Sequence, residues 1–206
     1  MSTAAEQDRL LRGPRAALER ARHDQSTWAD LAYRGIQDTD EAAVTDRNRS
    51  ARSAVLWALQ YDRRPQDLPL LRFLLQQQIT HYREAIPSGM APDLTLAGFL
   101  VAEHRQVDDL WLHWDAKSIS FDTALGYHLH HLLTAGITAS AEAVRASSHP
   151  DRDRILGDIT SARHTDTAVE EWLDQQRARF PADPADEGLK AWAYHAARVR
   201  EGDHRW

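Results

Sequence analysis

The feature that most limits what this 206-residue chain can fold into is its choice of apolar side chain. Alanine and leucine occur 32 and 23 times, whereas valine and isoleucine occur 7 times each. Strands favour β-branched and aromatic residues, and helices favour Ala, Leu, Arg, Gln and Glu. The sequence therefore predicts an all-α fold with no strand longer than an isolated bridge. Because alanine fills little space, the helices must approach closely, with seven Trp, five Tyr and four Phe filling the rest of the core.

Apolar periodicity divides the chain into about ten or eleven helices joined by short turns. Residues 4–23 read as helix interrupted at Gly13-Pro14, since proline suits the first position of a new helix. A short helix is expected from Ser26 towards Gly35, and a longer one opening at Asp38-Thr39-Asp40-Glu41 with Ala51, Ala54, Val55, Ala58 and Leu59 on its buried face. Leu70, Leu71, Leu74, Leu75, Ile79 and Tyr82 form the next stripe, and residues 86–92 the clearest loop. Asp93 is expected to cap a helix from Leu94 to about His104. Val107, Leu110, Trp111 and Trp114 then give the strongest amphipathic spacing in the chain. Phe121, Leu125, Leu129, Leu132 and Leu133 predict one helix running from Phe121 to Thr134.

Short turns imply antiparallel neighbours. The architecture expected is a set of antiparallel helical hairpins, packed as a right-handed α-solenoid-like array or as an irregular bundle of about ten helices. Residues 1–206 read as a single all-helical domain, with a possible sub-boundary at the loop 86–93. A loose helix-turn-helix rhythm recurs, without a fixed period.

Charge and motifs exclude several functions. Twenty-five bases against 31 acids leave a net charge of −6, which disfavours non-specific nucleic-acid binding. The absence of cysteine removes disulfides, thiolate metal sites and a Cys nucleophile. The polar opening lacks the apolar core of a signal peptide, and the apolar stretch Leu94–Ala102 is too short to span a bilayer. A cytoplasmic protein that binds neither membrane nor nucleic acid is expected. No Gly-rich phosphate loop, nucleophile elbow or His-Glu-x-x-His helix is present, and no cofactor or metal is implied.

Histidine is the one enriched reactive residue, with eleven copies. Glu103, His104, Asp108, His128 and His131 form a central group able in principle to hold a metal or act as acid and base. His104 and Asp108 share a helix face unless the chain turns between them. His128 falls on the apolar stripe between Leu125 and Leu132, near Trp111 or Trp114, and reads as a buried histidine with His130 and His131 exposed beside it. His113 reads as a solvated partner of Asp109. Trp111 and Trp114 suit either core packing, which their spacing favours, or an aromatic platform for a ligand.

Residues 84–134 carry two bases and seven acids, the composition of a buried centre or of a surface that meets a basic partner. The leading functional expectation is a non-catalytic helical module binding another protein or a second copy of itself. The homodimer would use Ala193, Ala196, Ala197 and Trp206. The alternatives are a helical enzyme or metal protein built on the central His/carboxylate group, and a small-molecule or peptide binder with a Trp-lined cleft.

Overall fold

In the computed structural model, α1 (Ala4–His23) runs unbroken through Pro14. The missing proline N–H costs one helical bond. Leu11, Pro14, Leu18 and Ala21 nevertheless share one buried stripe against α2 (Arg49–Tyr61), and packing of that stripe overrides the local signal. The structure describes residues 4–37, 44–85, 89–160 and 164–203, with backbone only at 189 and 199–203.

The described residues form ten α-helices and several short 3₁₀ segments and are 76% helical, so the fold is all-α. Beyond α1 and α2 they are α3 (Leu68–Ala85), α4 (Pro92–Ala102), α5 (Leu110–Lys117) and α6 (Phe121–Gly126). α7 (Ile137–Ala146), α8 (Arg152–Thr160), α9 (Asp166–Arg179) and α10 (Leu189–Asp203) complete the set.

One small departure is real strand. β1 (Gly35–Gln37) and β2 (Val44–Asp46) pair antiparallel, with Ile36 opposite Thr45. The longer helix expected to open at 38–41 instead begins at Arg49; residues 38–43 lie outside the described part. The strand pair is held at its base by Asp46, whose side chain accepts from the Arg34 and Asn48 amides at 3.1 Å.

The main core gathers α1, α2, α3 and α4, and all six residues of the predicted α3 stripe are buried in it. A second core joins Leu110 and Trp114 to Leu132, Leu133, Val144, Ile155 and Val169. A third sets Trp57 against Leu11 and Trp192, the two indoles edge to face at 4.8 Å. α10 therefore packs back on α1 and α2. In a solenoid each repeat touches only its neighbours; a last helix that returns to the first makes this an irregular bundle. The same packing buries Ala196 while leaving Ala193 and Ala197 exposed, and Trp206 lies outside the described residues.

The helix predicted over Phe121–Thr134 is broken. α6 opens on a reciprocal Ser120–Thr123 cap and ends at Gly126; Tyr127 and His128 are extended, and Leu129–Leu133 is a 3₁₀ turn. The break turns the expected apolar stripe outwards at its start, leaving Phe121 77% and Leu125 71% exposed. Among the described residues no helix is long and apolar enough to cross a membrane.

Candidate functional site

At one end of the bundle, β2 and four helices bring polar side chains together in the interior. Asp46 and Arg52 form an ion pair with both side chains fully buried, and Arg52 also donates to the Leu31 carbonyl at 3.1 Å. Burial pushes the Asp46 carboxyl up, but Arg52 and the two amides outweigh it and hold its pKa below the ordinary value. From α3, His81 places Nδ1 3.6 Å from Asp46, beyond hydrogen-bonding distance. Burial first, then the nearby Arg49 charge, pushes the His81 pKa down to about 4, so the ring is neutral at pH 7 and the contact is not an ion pair.

Asp93 is the centre of the group. It was expected to cap α4, yet the cap residue is Ala91 and makes no side-chain bond. One Asp93 oxygen accepts instead from Ser53 of α2 at 3.0 Å and Tyr194 of α10 at 3.2 Å. Burial and Asp93 push the Tyr194 hydroxyl up to about 12. His195, next on α10, stacks on Trp57 at 5.4 Å and lies 3.9 Å from the enclosed Glu187 carboxyl. Burial pushes His195 down to about 4 and Glu187 upwards.

This group holds buried atoms that nothing in the described chain satisfies. They are Nε of Arg52, both ring nitrogens of His81, Oδ1 of Asp93 and Nδ1 of His195. Each such atom costs about 1–3 kcal/mol if left bare, so each calls for a polar partner, a buried water included. Ser53 bonds Asp93 directly and has no histidine partner, so the arrangement is not that of an activated serine nucleophile. Among the described residues no group of three or more His, Asp or Glu is placed to hold a metal ion.

None of the candidate site residues read from the sequence belongs to this group. Glu103 caps the end of α4 and pairs with Arg177 at 2.7 Å and Arg63 at 3.6 Å. His104 stands beside it on a cleft of about 290 Å³ over Leu59, Leu71 and Leu100. The chain turns at Arg105, whose φ is +53°, so His104 and the exposed Asp108 do not share a helix face. Trp114 is a core residue, its indole N–H donating to Asp151 at 2.9 Å, and Trp111 stacks on His149 at 4.1 Å.

The histidine assignments are inverted. His128 is exposed, caps the 3₁₀ turn by accepting from the His130 amide, and stacks on Trp172 at 5.7 Å rather than meeting Trp111 or Trp114. His130 and His131 are buried. His131 lies on the Tyr127 ring at 4.0 Å, and His113 hydrogen-bonds the Tyr127 hydroxyl instead of Asp109, which pairs with Arg72. The helix break at Tyr127 accounts for His128, His130 and His131, because it shifts the facing of every later residue.

Sequence reasoning missed His81, Asp93, Ser53, Tyr194 and His195. The available signal was a set of polar residues on otherwise apolar faces: Arg52 and Ser53 between Ala51 and Ala54, and His81 beside Ile79. Comparison with known proteins adds no assignment: no family model, no curated protein and no solved structure matches the chain.

Proposed function

We propose that this protein binds a small polar molecule at the end of the bundle where β2, α2, α3, α4 and α10 meet. The observation that carries the reading is Asp93: one oxygen accepts from both Ser53 and Tyr194, while the other is buried with no partner among the described residues. Ligand sites gather a few convergent polar groups, and here Ser53, Asp93 and Tyr194 converge from α2, α4 and α10. A high-resolution crystal structure of the gently purified protein, read beside its native mass, tests it. The expected result is a bound molecule touching Oδ1 of Asp93. A closed file of ordered waters satisfying each of the unpartnered atoms would rule the reading out.

A second reading, contact with another protein or a second copy, is supported by the exposed Phe121 and Leu125. They stand one turn apart on α6 and form an apolar face of the kind that marks interaction surfaces. Solution mass across the micromolar range, with and without the Phe121→Ser/Leu125→Ser pair, tests it. A monomer in both cases removes the self-association form of this reading.

A further inference from the structure

The cleft beside His104 lies away from the polar end of the bundle. Ser53, His81 and Asp93 sit near the start of α2, the end of α3 and the start of α4, whereas the cleft is built at the opposite terminus of each helix. Its floor is Leu59, Leu71 and Leu100, one leucine from each of the three. Arg64 is exposed and His104 half-buried on its walls, so the cleft is reached from solvent. An apolar cavity of about 150 Å³ holds benzene, and at about 290 Å³ this one has room for a second ring.

The protein itself occupies the charged groups of the walls. Asp67 accepts from Arg22 at 2.8 and 2.7 Å, one bond to each oxygen, and from the Arg64 amide at 2.9 Å. Glu103 is paired with Arg177 and Arg63. Arg63 donates to the Gln60 carbonyl at 2.9 Å and to the Phe180 carbonyl at 2.7 Å. Arg64 donates to Asp62 at 3.2 and 2.9 Å and to Glu19 at 2.7 Å. An anion or a cation entering the cleft would have to break one of these pairs. Guanidinium groups whose N–H edges are bonded still have faces, and those faces stack on aromatic rings. Arg63 already lies over the Phe99 ring in this way, 5.2 Å from its centroid. His104 is the one uncharged polar side chain of the walls. Burial holds its pKa below the ordinary value, so at pH 7 the imidazole is neutral, with one donor and one acceptor.

We infer that this cleft binds a small uncharged aromatic molecule of one or two rings, its body on the three leucines and its hydroxyl or N–H group on the His104 ring. Neutrality follows from the occupied wall charges, size from the volume, and the aromatic ring from the two guanidinium groups beside an apolar floor.

The test is an NMR titration of the full chain with phenol, indole and naphthol, beside indoleacetate, tryptamine and N-methylindole. At least one neutral ring compound is expected to bind saturably and to shift the methyl signals of Leu59, Leu71 and Leu100. Indoleacetate and tryptamine should bind about tenfold or more weakly than indole, because their charge finds no free counter-ion in the cleft. N-methylindole lacks the donor and should bind about two- to tenfold more weakly, a difference that should vanish in His104→Phe. His104→Trp fills the cleft from its wall and should abolish binding. The ligand comparison in the unaltered protein decides the matter even where a variant fails to fold. Silence of the whole panel, charged forms that bind as well as indole, or shifts confined to Ser53, Asp93 and Tyr194 overturn the inference. N-methylindole that binds as well as indole overturns the part given to His104.

Discussion

Nδ1 of His113 lies 2.7 Å from the hydroxyl of Tyr127, and both side chains are fully enclosed between α5 and the turn that follows α6. Burial pushes the His113 pKa down to about 3, so the bond joins two uncharged groups in an apolar setting. Tyr127→Phe keeps the ring and removes only the hydroxyl. The orphaned imidazole nitrogen should then cost about 1–3 kcal/mol of stability. Urea unfolding with an unchanged denaturant slope checks this; a loss below about 0.5 kcal/mol would mean that the bond is not made in solution.

The same tyrosine explains a glycine inside a helix. A Cβ built on Gly98 of α4 would stand 2.2 Å from the Tyr127 hydroxyl and 2.8 Å from two of its ring carbons. Alanine would favour the helix by about 1 kcal/mol, but Tyr127 is enclosed and has nowhere to move. Gly98→Ala should therefore destabilise by about 1–3 kcal/mol despite its better propensity. In a Tyr127→Leu background the penalty should shrink or reverse, and a double-mutant cycle on thermal unfolding measures that coupling.

These contacts mark where sequence periodicity stops being informative. The α3 stripe was legible because six apolar residues at three-four spacing admit one burial pattern. Punctuation in the sequence also coincides with helix boundaries: Gly136 precedes α7, Pro150 precedes α8, and Phe180-Pro181 follows α9. Gly126 was an equally good stop signal, but Leu129, Leu132 and Leu133 continued the helical spacing and outvoted it. One misplaced break then reversed the facing of His128 and His131. The polar end of the bundle was hidden for a different reason. Asp46, Arg52, His81, Asp93 and Tyr194 lie on five elements, and no local pattern announces that a charge will be buried against a partner tens of residues away.

The buried pair of Arg52 and Asp46, six residues apart on different elements, has an energetic consequence of its own. With both side chains fully buried, removing either one leaves the other charge without its counter-ion. Arg52→Met or Asp46→Asn should each cost about 3–5 kcal/mol. The double variant Arg52→Met/Asp46→Leu should recover a large part of that loss, because it removes both desolvated charges together. Thermal unfolding of the three proteins decides the matter: additive losses in the double variant would show that the pair is not coupled.

Stability should fall steeply as pH drops below 6.5. His81, His130 and His195 are pushed by burial to about 4, His113 to about 3, and His131 well below its ordinary value. Between those values and 6.5 the unfolded chain takes up protons that the folded chain refuses, so stability present above pH 6.5 is lost as pH falls. Each such histidine contributes up to about 1.4 kcal/mol per pH unit over that window. Glu187 works in the opposite sense: its raised pKa favours the folded state at low pH and that benefit fades as pH rises above the ordinary carboxyl range. One group does not offset five, and the acid transition should lie above pH 4. Calorimetric melts from pH 7.5 to 4.5 check the slope, and His113→Leu should flatten it whatever its effect on the melting temperature at pH 7. A melting temperature unchanged between pH 7 and 5 would show that these imidazoles accept protons inside the folded protein.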